Sequence, residues 1–73
     1  MQKVPINTEF ITLGQLLKIV DIVDSGGAAK YYLAEHPNDF LVNDENDARR
    51  GRKLRIGDVI KVANHGEFVI DGN

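Results

Sequence analysis

The sequence predicts a small α+β domain, with two short helices packed on a small, mostly antiparallel sheet. Three observations favour this fold class. An apolar repeat typical of a helix follows Thr12, a second capped segment follows Ser25, and short strand-like segments separated by turn residues fill the second half of the chain. Helices followed by strands in 73 residues indicate one domain over residues 1–73.

The first elements are an edge strand and a helix. Gln2 to Ile6 alternates in polarity and contains Pro5, which an edge strand tolerates although proline lacks a backbone donor. Thr12 to about Val23 is the clearest helix, and Thr12 with Gln15 fits a capping box. One buried face is indicated by the spacing i, i+3, i+4, i+7 of Leu13, Leu16, Leu17 and Val20.

A second helix is predicted after the break at Asp24 to Gly27. Ser25 can cap it, its body runs from Ala28 to Glu35, and Pro37 ends it. Adjacent helical residues point about 100° apart, so we expect Tyr32 to face the core and Tyr31 the solvent. The other inward residues are Ala28, Ala29 and Leu33.

The remaining elements are strands and turns. In chain order the sequence predicts a strand at Phe40 to Asn43, a turn at Asp44 to Asp47, the tight turn Gly57-Asp58, a strand at Val59 to Val62, a turn at Asn64 to Gly66 and a strand at Glu67 to Ile70. We expect Gly57 to have a positive φ and to set the final hairpin. The first and last strands are expected to pair. The predicted core is Leu13, Leu16, Leu17, Val20, Leu33, Leu41, Leu54, Ile56, Val59 and Ile60.

Composition excludes several classes of function. The chain has no cysteine, which excludes disulfides, zinc ribbons and thiol catalysis and favours the cytoplasm. No apolar run suits a signal peptide or a membrane span. His36 and His65 lack partners at the spacing of a metal site or a catalytic triad. We therefore expect no enzyme, no cofactor, no membrane association and no small-molecule substrate.

One short segment holds most of the positive charge. Net charge is −2, yet five of the nine basic residues lie within seven positions, namely Arg49, Arg50, Arg52, Lys53 and Arg55. Guanidinium groups match phosphate oxygens in geometry, and a local field can be positive although the molecule is not. The alternative interpretation is a solvated loop that neutralises Asp44, Glu45 and Asp47.

The start of the second helix is another candidate site. Ser25, Gly26 and Gly27 can offer backbone donors to a phosphate, with Lys30 one turn further on. A plain helix cap is the alternative, and the spacing is not that of a P-loop. Tyr31 can stack on a base, or serve as a partly exposed packing residue.

Together these features resemble the RNA-binding domain of the small-subunit ribosomal protein four type, over about residues 12–62. The resemblance is closest to its stand-alone bacterial branch, called YaaA-like. The matching segments are Leu13-Gly14-Gln15-Leu16-Leu17, Asp24-Ser25-Gly26-Gly27-Ala28-Ala29-Lys30, Leu41-Val42-Asn43, Arg49-Arg50-Gly51-Arg52-Lys53-Leu54 and Leu54-Arg55-Ile56-Gly57-Asp58-Val59-Ile60.

The resemblance implies binding of structured RNA, with ribosomal RNA as one candidate, through the second helix and the basic segment. The residues it indicates are Lys30, Asn43, Arg49, Arg50, Arg52, Lys53 and Arg55. Two departures stand out: Gly26 and Gly27 replace a common arginine, and Asp44 replaces a glycine after Asn43. The alternative function is a protein–protein interaction module with a ubiquitin-like sheet and no catalytic role.

Overall fold

The structure is a computed structural model that describes residues 1–72. It contains two helices and seven strands in the order β1 (Gln2–Ile6), β2 (Ile11–Thr12), α1 (Leu13–Ile19), α2 (Gly26–Glu35), β3 (Phe40–Val42), β4 (Glu45–Asn46), β5 (Lys53–Leu54), β6 (Val59–Val62) and β7 (Gly66–Gly72).

Five strands form the main sheet, in the order β1-β7-β6-β3-β4. β1 pairs with β7 in parallel, with Val4 opposite Ile70, and the other pairs are antiparallel. The predicted fold class and the pairing of the first and last strands are therefore confirmed. β1 lies at the edge of the sheet, so the backbone N–H that Pro5 lacks is not needed between two inner strands. A separate antiparallel ribbon of β2 and β5, which the sequence did not predict, places Ile11 opposite Leu54.

Helix α1 begins as predicted and ends early. The Thr12 Oγ1 accepts from the Gln15 backbone N–H (3.2 Å), and the Gln15 Oε1 accepts from the Thr12 N–H (2.8 Å), which confirms the capping box. The prediction that the helix extends to Val23 is wrong, because Asp21 adopts a left-handed φ of 62°. The N–H groups of Asp21 and Ile22 then donate back to Lys18 and Leu17, as in a Schellman ending.

Helix α2 begins directly after its predicted cap. The Ser25 Oγ accepts from the Ala28 N–H (3.1 Å), so the first helical residue is Gly26, two positions before the predicted body. His36 caps its C-terminal end. Tyr31 is 69% exposed while Tyr32 is half-buried, as predicted.

The core lies between the two helices and the sheet. Its buried members are Val4, Ile6, Ile11, Leu13, Leu16, Leu17, Ala29, Leu33, Phe40, Val42, Leu54, Ile60, Val62, Phe68 and Ile70. Three predicted core residues, Val20, Leu41 and Val59, are only partly buried.

Ile56 was assigned to the core wrongly, since it is 61% exposed. The Arg55 N–H donates to Asp58 Oδ2 (2.8 Å) and the Asp58 N–H donates to the Arg55 carbonyl (2.9 Å). The chain therefore turns through Ile56 rather than continuing as a strand that would point it inward.

Two turn predictions also need correction. The turn predicted at Asp44 to Asp47 is confined to Asn43 and Asp44, both left-handed (φ 52° and 68°), and Glu45–Asn46 pairs with β3 as β4. Gly57 has the predicted positive φ, at 96°, but its turn joins β5 to β6. The final hairpin instead turns just before Gly66, at the left-handed Asn64.

Candidate nucleic-acid interface

The basic segment, residues 49–55 and hereafter the basic loop, is bonded through its backbone to the start of α1. The Leu13 N–H donates to the Arg52 carbonyl (2.8 Å), and the Gly14 N–H donates to the Arg50 carbonyl (3.0 Å). The first N–H groups of a helix have no partner within it. The loop carbonyls satisfy two of them, so the loop is fixed to the helix by the helix's own unpaired donors.

Gly14 lets the basic loop approach α1 closely. A Cβ at this position would lie 2.7 Å from Arg50 Cγ and 3.4 Å from the Arg50 carbonyl oxygen. Only glycine leaves room for the methylene chain of Arg50 against the helix. The position of that side chain therefore depends on a residue in another element.

Asp47 joins two arginines of the loop. It accepts from Arg49 Nε (3.0 Å) and a terminal nitrogen of Arg49 (2.8 Å), and from a terminal nitrogen of Arg52 (2.8 Å). The hydrogen bonds from the Arg49 side chain, followed by the one from Arg52, hold the pKa of Asp47 well below its usual range despite some burial. Arg49 and Arg52 therefore neutralise Asp47, which is one of the three acidic residues named in the alternative interpretation of this segment.

Two adjacent clefts flank Gly51. The helix cleft, about 400 Å³, is lined by Thr12, Gly14, Gln15, Lys18, Gly26, Ala29, Arg50 and Gly51. The loop groove, about 450 Å³, is lined by Arg49, Gly51, Arg52, Lys53, Arg55 and Asp58. The helix cleft brings the start of α2 and the basic loop together in one site that carries no carboxylate.

The cations around the helix cleft are not neutralised within the described chain. Arg50, Lys18 and Lys30 form no ion pair with any side chain of residues 1–72. Lys30 is exposed and lies one helical turn after Gly26. These three side chains are available for an external anion.

The start of α2 adds backbone donors beside these cations. The Ser25 side chain is used to cap Ala28, whereas the N–H groups of Gly26 and Gly27 have no acceptor among residues 1–72. No atom lies within 4 Å of the place where a Gly26 Cβ would be, so the backbone there is open to a ligand.

Asn43 holds two turns together. Its Nδ2 donates to Asp58 Oδ1 (3.0 Å), and its Oδ1 accepts from the Val59 N–H (3.0 Å). The role that the resemblance gives it in RNA binding stays a prediction, and its carboxamide already has a structural use. Asp44, the other departure at this corner, pairs with Lys61 (3.0 Å).

Tyr31 follows Lys30 on α2 but lines a different surface from the two clefts. The groove beside it is lined by Asp21, Asp24 and Glu35 together with apolar residues, and by no basic side chain. Three carboxylates beside the ring oppose the approach of phosphates. The negative field of these carboxylates disfavours stacking of Tyr31 on an RNA base, which stays a prediction.

Two residues beside the basic loop and the clefts were not among those that the sequence indicated, namely Lys18 and Phe10. Lys18 is the i+4 neighbour of Gly14, a relation that the predicted helix already contained. Phe10 places its ring 4.9 Å from Lys53 Nζ and 5.6 Å from Arg55 Cζ. No sequence pattern pointed to Phe10, because the ribbon that brings it to the loop was not predicted.

The histidines contact other side chains. His36 Nδ1 lies 3.3 Å from Asp39 Oδ2, and His65 Nε2 lies 3.0 Å from the Tyr32 hydroxyl. Among residues 1–72, no group of three or more acidic or histidine side chains is arranged to hold a metal ion. Neither described helix has the length and apolar character required to span a membrane.

Comparison with known proteins gives a family. A probable ribosome maturation protein, RlbA, of Bacillus subtilis (strain 168) is 54% identical to this chain over 67 residues, which is 92% of either protein. No solved structure matches. The family model described as the S4 domain matches residues 4–71, well beyond the segment 12–62 that carried the resemblance. The chain therefore belongs to the S4 domain family.

Proposed function

We propose that this protein binds structured RNA, with ribosomal RNA as the first candidate, through phosphate contacts from the basic loop and the start of α2. Family membership supports RNA as the partner, and the printed name of the Bacillus subtilis relative supports a connection with the ribosome. In this proposal the chain acts in the cytoplasm as a single RNA-binding domain, without a cofactor and without catalysis.

The observation that carries the proposal is the pair of hydrogen bonds from Leu13 and Gly14 to the carbonyls of Arg52 and Arg50. They attach the backbone of the basic loop to the start of α1 without any ligand. Ordered arginines lose less conformational entropy on binding than a disordered basic segment does. The proposal thus rests on an ordered array of donors rather than on charge alone.

The unpaired cations define where phosphates should bind most tightly. Arg50 and Lys18 line the helix cleft, and Lys30 lies one helical turn after Gly26. None of the three has a carboxylate partner in the described chain, whereas Arg49 and Arg52 already share Asp47. A phosphate at the helix cleft meets full positive charge and the free N–H groups of α2. We therefore expect Arg50 to contribute more than Arg49.

The test is an anisotropy titration with a helical-junction RNA at several salt concentrations. Each neutralised phosphate contributes about −0.7 to −0.9 to the log–log slope of affinity against salt, so four contacts give about −3 to −4. Arg50→Gln, which keeps the methylenes that pack on Gly14, should make the slope shallower by about 1. Lys3→Gln on β1 is the matched control, because Lys3 lines neither cleft.

The outcomes separate the proposal from its alternative. A steep slope that flattens with Arg50→Gln and not with Lys3→Gln supports phosphate binding at the helix cleft. No binding at low salt, or binding unchanged when Arg50 and Arg52 are both replaced, would refute it. A protein–protein interaction module would then be the better hypothesis.

A further inference from the structure

The β2–β5 ribbon has one buried face and one outward face. Ile11 and Leu54 are paired with each other and both are buried. Lys53 precedes the buried Leu54 and so points to the opposite face. Phe10 and Arg55, each next to the ribbon in the chain, lie with Lys53 on that outward side. The ribbon therefore presents an aromatic ring and two cations, next to the loop groove.

The contacts of Phe10 show how these three side chains are arranged. Its ring centroid lies 4.9 Å from Lys53 Nζ and 5.6 Å from Arg55 Cζ, within the range of cation–π attraction. The ring is only partly buried, and both cations are exposed. Neither cation forms an ion pair with a carboxylate in residues 1–72.

We propose that Phe10, Lys53 and Arg55 form a binding site for an unpaired nucleotide of the RNA. The base stacks on the Phe10 ring beside the planar guanidinium of Arg55, and Lys53 holds a neighbouring phosphate. This inference rests on the proposed function and specifies the kind of RNA that it takes.

Two kinds of contact with RNA then lie on adjoining surfaces of the protein. The helix cleft offers cations and backbone donors, which bind phosphates of paired and unpaired RNA alike. The ribbon adds an aromatic face, which a base inside a duplex cannot reach. The preferred RNA therefore has a helical segment with unpaired nucleotides beside it.

The experiment uses the absence of tryptophan from the sequence. Phe10→Trp creates a single fluorescent reporter that keeps an aromatic ring on the ribbon. Two RNA probes are compared at one salt concentration, a fully paired hairpin and the same hairpin with unpaired adenosines in its stem. We expect the second probe to quench the Trp fluorescence and the first to leave it nearly unchanged.

Affinity provides the second measurement. Base–aromatic stacking is disrupted in Phe10→Leu, so its affinity for the hairpin with unpaired adenosines should fall about 5- to 100-fold, with little change for the paired hairpin. Tyr31→Leu, which removes an exposed ring far from the ribbon in the chain, is the matched control and should affect neither. Thermal melts without RNA establish that each variant is folded.

The two proposals fail in different ways. Salt-dependent binding of both probes, with no quenching and with unchanged affinity of Phe10→Leu, would overturn the nucleotide site and leave the proposed function standing. Failure of the unsubstituted protein to bind either probe at low salt would overturn both.

Discussion

At the scale of single residues, Gly57 shows that backbone strain can be separated from packing. Its φ is 96°, and a Cβ there would meet no atom within 4 Å. Gly57→Val should therefore lower the free energy of unfolding by about 1–2 kcal/mol or more through strain alone. Gly51→Val is the control, because Gly51 is equally open without a positive φ. Equal chemical denaturation curves for the two variants would contradict this explanation.

Leu17 and Ile56 form a matched pair for testing the core. Leu17 is fully buried, whereas Ile56 is 61% exposed. Leu17→Ala should cost about 2–5 kcal/mol of stability through lost burial and a cavity. Ile56→Ala should stay within about 0.5 kcal/mol of the unsubstituted protein. Thermal melts check both values, and a large loss in Ile56→Ala would restore the core assignment made from the sequence.

Asp47 predicts a dependence of stability on pH. The arginine hydrogen bonds hold its pKa below the unfolded value, so they stabilise the fold above about pH 4. This contribution is lost as the pH falls toward the folded pKa. Asp47→Asn should be less stable than the unsubstituted protein at pH 7, and the difference should shrink below about pH 4. Urea unfolding at pH 7 and pH 3 measures it, and a constant difference would count against the arginine clamp.

At the scale of elements, the two helices offer an internal comparison. Gly14 and Gly27 both occupy the second helical position after a capping residue. A Cβ at Gly27 meets only Ser25 Oγ at 4.0 Å, whereas one at Gly14 meets Arg50 Cγ at 2.7 Å. Gly27→Ala should be neutral or stabilising by up to about 1 kcal/mol, from helix propensity. Gly14→Ala should be destabilising and should weaken RNA binding, as melts and titrations will show.

The elements that the sequence predicted are those specified locally. Both helix starts depend on side chains within three residues of the cap, so they were found. β4 and the β2–β5 ribbon are two-residue ladders, which no periodicity can indicate. The early end of α1 depends on Asp21, which adopts a left-handed conformation. Glycine or asparagine is more usual at such a helix end, so no sign of it was visible in the sequence.

The candidate site also has residues that the sequence indicated and residues whose role depends on the fold. The basic run and the start of α2 are visible in the sequence, and the structure places Arg50 and Gly26 in one cleft. Which arginines are already paired was not predictable, because Asp47 reaches Arg52 only through the folded path of the loop. Phe10 has its position from a tertiary contact between separate elements, whereas the place of Lys18 beside Gly14 was already contained in the predicted helix.

At the scale of the whole molecule, the charge distribution predicts selectivity among nucleic acids. Net charge is −2, so the field outside the two clefts gives little general attraction to phosphates. Binding then depends on a backbone shape that brings several phosphates to the clefts together. In a competition titration, duplex DNA should displace the helical-junction RNA much less effectively than the same RNA unlabelled. Equal displacement would indicate attraction by charge alone.

The position of β7 in the sheet has a consequence for folding during synthesis. β7 follows every other described strand in sequence, yet it lies between β1 and β6 in the sheet. It pairs with β1, with Ile70 opposite the buried Val4. The residues of β1 leave the ribosome before those of the other described strands, and their partner lies about 66 positions later, from Gln2 to Phe68. A nascent chain that lacks β7 has neither a complete sheet nor a closed core. We therefore expect this domain to complete its sheet only after β7 has left the ribosome.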